Sequence, residues 1–514
     1  MLTSIVTAAL EQPTKEFPMP DVADSHRMSR VDTSWLRMDN DVNLMMIVGV
    51  WLLTPAVTLE AVRERIADKL LKYDRFRQKV VTDAVGASWV EDDDFDINRH
   101  VNAATLARKR GQSQRQALQA LCGELATTPL DPDHPLWQFT LIEDYEGGSA
   151  LIARVHHCIA DGIALIQVTM SITDGGSDPP KRRKVAEEDP HEGDWLADAV
   201  LKPLTDITVK AIDMYGGGVA KSIDMLAHPQ QPLLSSLDMA RSGLQVLNDV
   251  AAIALMDDDS TTELKGQPAG RKRVAWSEPL ALDRVKVIGK ALGCSINDVL
   301  LSCVAGAIGQ YLRARGDDPA GKEIRAMVPV NLRPIEQAWK LGNRFGLAPL
   351  VLPIGIDNPV ERAFAVRARM AELKSSYQPL LAFAVLSITG LFVKPVQDMV
   401  LNLFAKKATA VMTNVPGPKQ PLTFLGSTLR QTMFWVPASG NIGMGVSILS
   451  YAGGVQFGLI TDEALCPSPQ AVIDLFEPEF EKLLWLTMML PWQDAACLGC
   501  KRSSAGRQRS RGRR

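Results

Sequence analysis

The sequence predicts an α/β protein built as two halves around a polar linker. Three observations carry this expectation. Apolar runs of strand length alternate with segments whose apolar residues recur at helical spacing, in both halves. Residues 174–195 are rich in glycine, proline and charge and have no hydrophobic period, so they read as a linker. The 514 residues are 46% apolar and 22% charged, a globular balance with material for a large core and two or three domains.

The elements follow in order. Residues 1–27 read as a disordered extension. They have a short apolar start with no basic stretch before it and no clear cleavage site, so no signal is expected, and Met28 is a candidate natural start. The first half, 28–173, opens on "LMMIVGVWLL" (44–53), an almost unbroken apolar run that predicts a buried strand. "LEAVRERIADKLLKY" has the spacing of an amphipathic helix, and "RQALQALCGELATTPL" predicts another. "WQFTLIEDYEGGSALIARVHH" reads as two strands around Gly147-Gly148, a hairpin signal. In the next segment, "DGIALIQVTMSIT", Ile163, Ile166 and Met170 share one helical face.

Helical segments fill 196–256. The second half, 257–495, holds a strand in "RKRVAWSEPL", a helix in "LDRVKVIGKALG" and a long helix from "SINDVLL" onward. Ser295 can cap that helix, which places Asn297 and Asp298 in its first turn. "EIRAMVPVNLRP" and "FGLAPLVLPIG" predict strands, and Gly453-Gly454 marks a second hairpin.

Charge is unevenly spread. The tail within 496–514 is expected to be disordered, and its last 14 residues carry seven Lys/Arg and no acid. Without them 49 basic residues stand against 59 acidic ones. Such a tail either solubilises or draws the chain to an anionic membrane surface. No folded basic patch accompanies it, so nucleic acid is not an expected partner. The seven cysteines show no framework spacing, and Cys497 and Cys500 form a lone CxxC, so a zinc ribbon is not expected and the thiols should stay reduced in a cytoplasm. "LLAFAVLSITGLFV", ending at Val393, is too short to span a membrane. The longer apolar stretch around it reads as a core helix pair or as a face lying in a membrane interface.

The chemistry gathers at "RVHHCIADG" (154–162), where a strand ends in His156 and His157. Adjacent histidines on a strand point to opposite faces, so they do not readily share a metal ion, and the chain has no HExxH. No GxSxG elbow suggests a serine hydrolase. Histidines bonded only for structure remain an alternative from the residues alone. Gly162 would allow close approach of backbone at the helix start.

"HHCIADG" matches HHxxxDG, the signature of the CoA-dependent acyltransferase superfamily, which includes the condensation domains of nonribosomal peptide synthesis. With "SRVDTSWLRMDN", "HPLW", "INDVLL" and "TNVPGPKQPLTFLG", the chain resembles the bacterial wax ester synthase/diacylglycerol acyltransferase family from about Met28 to Leu490. The resemblance implies two chloramphenicol-acetyltransferase-like halves with mixed sheets flanked by helices. It also implies that the linker crosses between them and that the active-site tunnel lies between them. His157 would be the general base, passing a proton from an alcohol to the departing CoA sulfur, with no acyl-enzyme. His156 would support it, and Cys158 would be a small buried thiol.

Asp161 would make a structural ion pair, for which Arg333 is a candidate partner. Asn297 is a candidate oxyanion donor or else bonds its own backbone. Pro135, Leu136 and Trp137 would form a tight entry into a strand, and Asn414, Pro416 and Gly417 a loop near the tunnel. Acyl-CoA is then a substrate and no cofactor is expected. The acceptor would be diacylglycerol or a long-chain alcohol, and the enzyme would be cytoplasmic, in peripheral contact with a membrane or lipid-body surface. Two rivals differ in class. One is a condensation-type enzyme using a carrier-bound substrate, although no carrier-domain serine motif is found. The other is a non-catalytic lipid-surface protein, against which the intact HHxxxDG argues.

Overall fold

The computed structural model describes residues 26–83, 86–177, 258–331, 341–343, 345–375 and 407–489. Arg333, the predicted helical connection 196–256, the apolar stretch ending at Val393 and the basic tail lie outside the described residues.

Two large sheets form the frame. The first contains β2 (Met46–Thr54), β5 (Val101–Ala103), β6 (Trp137–Tyr145), β7 (Gly148–His156), β13 (Thr423–Phe424) and β14 (Ser427–Trp435). Their order is β13-β14-β2-β7-β6-β5. The second contains β8 (Lys272–Trp276), β10 (Ile324–Asn331), β11 (Phe345–Leu352), β12 (Ala410–Pro416), β15 (Met444–Tyr451) and β16 (Gly454–Asp462), in the order β11-β10-β12-β15-β16-β8. β9 (Leu280–Ala281) pairs with β16. A small sheet joins β1 (His26–Arg27), β3 (Gln78–Thr82) and β4 (Ala87–Glu91). Both sheets mix parallel and antiparallel pairs. Both hairpins form where the glycine pairs predict them. Glu146 and Gly147, and likewise Ala452 and Gly453, take the positive φ that tight turns between strands require.

β2 lies between β14 and β7 and is buried on both faces, which explains its unbroken apolar run. Val48, Val50 and Leu52 pack with Ile152, Trp276, Met433 and Trp435 in the core between the sheets. The opposite face, with Trp51, Leu53 and Leu151, belongs to the core of the first half. In the second half Ile296–Ala314 runs through the core, with Val299, Val304 and Ile308 fully buried. No single helix among the described residues is long and apolar enough to cross a membrane.

Three details differ from the sequence expectation. His26 and Arg27 pair with Trp89 and Ser88, so the described structure begins inside the expected disordered extension. Asp174, the expected first residue of the linker, accepts from the backbone N–H of Leu425 and Gly426 and pairs with Arg65. β13 and β14 come from the second half of the chain yet complete the first sheet, so the boundary near residue 257 divides the sequence and not the space.

Candidate active site

The site grows from the end of β7. The His156 N–H donates to Leu136 O at 2.9 Å, so the "HPLW" segment enters β6 directly beside the histidine turn. Trp137 is buried and anchors this entry, its indole N–H bonding Phe76 O at 2.9 Å. His157 follows directly after β7, and its N–H donates to Met45 O at 2.7 Å, continuing the extended path by one residue. The two side chains therefore keep the alternation of a strand and meet different partners.

His157 is 5% exposed and stacks on Trp35, with ring centroids 4.2 Å apart and an interplanar angle of 15°. Phe345 packs against it at 5.5 Å. Nδ1 lies 2.8 Å from Asn343 Oδ1. The Asn343 amide is oriented by two donations from its Nδ2, to Asp32 Oδ1 at 2.8 Å and to His157 O at 2.7 Å. Its oxygen can then only accept, so the His157 proton sits on Nδ1 and Nε2 carries the lone pair. Nε2 makes no hydrogen bond among the described residues. Burial lowers the His157 pKa to about 4, against the upward pull of the Asn343 bond, so the ring is neutral at pH 7.

The chain of contacts continues outward. The Asn343 N–H also donates to Asp32 Oδ1, at 3.0 Å. Asp32 is 1% exposed and pairs with Arg75 at 3.1 Å, and Arg75 Nη1 donates to Ile159 O at 2.8 Å. Gly342 fits here because its φ is +110° and a Cβ would crowd Arg75 and Asp32 at 3.3–3.4 Å.

His156 faces Asp39, with Nε2 3.3 Å from Oδ2. Burial opposes a second proton on His156, and Asp39 favours one. The second proton would have to sit on Nδ1, where the Cys158 N–H already donates at 3.1 Å. That backbone bond favours the Nε2–H form, with the proton toward Asp39. Cys158 is fully buried.

Asp161 is the N-cap of the helix Gly162–Ile172, accepting from the Ala164 N–H at 3.0 Å. Its candidate partner Arg333 lies outside the described residues. We predict that Asp161→Ala melts below Asp161→Asn, because asparagine keeps the cap acceptor. The cap alone is worth about 0.5–2 kcal/mol. Identical thermal melts for the two variants would remove the cap from the account of this turn.

Two expectations here are corrected. A Cβ on Gly162 would meet nothing within 4 Å, so no backbone approaches it, and the residue borders a cavity instead. The buried face of its helix is Ala164, Val168, Ser171 and Ile172. Val168 and Ile172 border that cavity together with Ile166 and Met170.

Asn414 and Pro416 are also not in a loop. They lie on β12, paired with Ile448 and Ser450, and Gly417 follows at the strand end. A Cβ on Gly417 would sit 2.4 Å from Ser450 O, where its own N–H donates, which fixes glycine there. Asn414 Nδ2 donates to Asn297 Oδ1 at 2.8 Å, so the two asparagines meet through their side chains. Asn297 thus does not use its side-chain oxygen on its own backbone. Asp298 forms the capping box with Ser295. No hydrogen bond joins this pair to His157 among the described residues.

Known structures share this frame. A wax ester synthase/diacylglycerol acyltransferase from Marinobacter aquaeolei VT8 aligns with a TM-score of 0.61 and 19% identity, over 90% of this chain and 100% of that one. The first condensation domain of the calcium-dependent antibiotic synthetase aligns at 0.54 and 15%, over 91% and 97%. With its HHxxxDG turn on this two-sheet frame, the chain is an acyltransferase. Residues 28–300 match the wax ester synthase/diacylglycerol acyltransferase catalytic domain, and 341–484 match the WS/DGAT C-terminal domain. The protein belongs to the wax ester synthase/diacylglycerol acyltransferase family. Among its relatives are two Mycobacterium tuberculosis proteins, each named a probable diacylglycerol O-acyltransferase. One, tgs1, is 25% identical over 85% of this chain and 91% of its own length. The other, tgs2, is 27% identical over 88% and 97%.

Proposed function

We propose that this chain moves a long-chain acyl group from acyl-CoA to diacylglycerol or a long-chain alcohol, with His157 as general base. The observation that carries the proposal is the Asn343 bond to Nδ1, which leaves Nε2 as a neutral, unengaged acceptor. Nε2 takes the hydroxyl proton while the hydroxyl oxygen attacks the thioester carbonyl. The tetrahedral oxyanion collapses with cleavage of the C–S bond, and the imidazolium returns its proton to the CoA sulfur. Asn297 is the oxyanion donor in this reading. Its oxygen accepts from Asn414, which leaves its Nδ2 to donate. No step needs a cofactor.

We place this reaction at a cytoplasmic lipid surface. Trp485, Leu486, Met488 and Met489 are exposed at the end of the helix Pro469–Met489, and the basic tail follows in the chain. Purified protein given radiolabelled palmitoyl-CoA with hexadecanol or diolein is expected to form wax ester or triacylglycerol. Failure with both acceptors would overturn the proposal, and turnover only with a carrier-bound substrate would favour the condensation-type alternative. Deleting residues 501–514 is expected to weaken binding to anionic vesicles and to reduce its salt dependence. Unchanged vesicle binding would exclude the tail as a membrane contact.

A further inference from the structure

We infer that the apolar cavity on the β2–β7 face of the first sheet holds the long alkyl chain of a substrate, and that Gly49 and Ala153 set the length of chain it accepts. The inference rests on the acyltransferase reading for its turnover arm alone.

The cavity has a volume of about 130 Å³ and opens to solvent on one side. Among the described residues no charged side chain lines it. The Tyr451 hydroxyl, one of its few polar groups, is already engaged, accepting from Leu422 N–H and donating to Leu429 O, both at 2.8 Å. A phosphate or carboxylate would find no partner there, whereas an aliphatic chain would replace missing packing. Protein interiors are close-packed, so an apolar space of this kind is a standing cost that a ligand relieves.

Gly49 lies in the middle of β2 and faces this space, directly opposite Ala153 on β7. Glycine weakens a strand interior, so its presence there has a reason to find. Crowding is not the reason, because a Cβ at Gly49 would meet only Met433 O at 3.6 Å and Phe434 Cβ at 3.8 Å, ordinary contacts. Gly148 shows the contrast, since a Cβ there would lie 1.9 Å from Leu53 O. Nor does Gly49 have a positive φ. What the missing side chain provides is room in the cavity. The neighbouring pairs Ile47–Val155 and Trp51–Leu151 are large, so Gly49 and Ala153 form a notch between them.

The notch is aligned with the chemistry. Leu151, Ala153 and Val155 line the cavity, and His157 comes next at the same strand period. Gly162 lines it from the other side of the HHxxxDG turn. A chain lying in the cavity therefore has the histidine turn at one end and the notch farther along β7.

Either chain of the reaction could occupy this space, the acyl chain of the thioester or the alkyl chain of the alcohol. Gly49→Leu and Ala153→Leu fill the notch. With hexadecanol fixed, kcat/KM is compared for palmitoyl-CoA and octanoyl-CoA; with palmitoyl-CoA fixed, it is compared for hexadecanol and octanol. The expected result is a fall of roughly tenfold or more in the long-to-short ratio in one arm, which names the occupant. Gly49→Ala, whose Cβ fits without displacement, is expected to shift the same ratio by less. Binding of cis-parinaric acid is measured without turnover and is expected to weaken in Gly49→Leu. Ratios within twofold of wild type in both arms, with parinarate binding unchanged in variants that melt normally, would overturn the inference. If wild-type protein makes no ester, parinarate binding alone decides it, with equal binding by wild type and Gly49→Leu as the negative result.

Discussion

Replacing His157 by asparagine lowers turnover of palmitoyl-CoA with a long-chain alcohol by roughly 10²–10⁴, the usual worth of a positioned general base. Asparagine keeps polarity and some shape but takes no proton at neutral pH. The fold should survive, because His157 contributes one stacked ring and one side-chain bond. His156→Ala is expected to keep more activity and to lose more stability, since it removes the acceptor of the Cys158 N–H and the partner of Asp39. Kinetics and a thermal melt of each variant check this. Near-normal turnover in His157→Asn, with a folded but inactive His156→Ala, would reverse the assignment.

The pH dependence has a definite sign. Burial brings His157 from 6.5 to about 4, so the folded protein holds fewer protons than the unfolded chain between those values. Its share of stability is present above about pH 6.5 and is lost as pH falls through that window. His157→Asn should soften the acid destabilisation, and the acid limb of wild-type kcat/KM in the free enzyme should lie well below 6.5.

Asn343→Leu is the second large effect. Leucine cannot accept from Nδ1, so the proton is free to move to Nε2 and block the base. Turnover is expected to fall by roughly 10²–10⁴, in keeping with losses seen when a catalytic histidine loses its tautomer. Some stability is lost as well, about 1–3 kcal/mol, because Asp32 and His157 O lose donors inside the protein. The effect should fall on kcat and leave KM for palmitoyl-CoA nearly unchanged. The ¹⁵N shifts of the His157 ring give a readout that general destabilisation does not imitate, with a pure Nδ1–H form in wild type and a mixture in the variant. Wild-type turnover in a folded Asn343→Leu would remove Asn343 from the positioning chain.

Much of the fold was legible because it rests on local signals. The apolar run of β2, the glycine pairs of both hairpins and the Ser295 cap each act within a few residues. The histidine turn was legible for the same reason, as a compact string. The positioning chain was not. Asp32 and Trp35 lie in "SRVDTSWLRMDN", a motif whose resemblance gave no roles, and Arg75 sits in a short turn just past the helix predicted in "LEAVRERIADKLLKY". Asn343 lies 186 positions beyond His157 and belongs to no periodic element, so only the folded chain brings it to Nδ1. The strand swap escaped for a related reason. Nothing within "STLRQTMFW" says which sheet it will join, because pairing partners are chosen by tertiary packing.

That strand swap bears on how the protein is made. Thr54 on β2 pairs with Thr428 on β14, 374 positions later. At about 5–20 residues per second, ribosomal synthesis leaves β2 without this neighbour for roughly 20–75 s. Throughout that interval the nascent chain carries "MIVGVWLLT" as an open, apolar edge, a template for pairing with another chain. The first half cannot mature as an independent unit while its sheet awaits the C-terminal third. A fragment ending near residue 300 is therefore expected to aggregate on expression, and the full-length chain to depend on whatever shields that edge until β14 emerges.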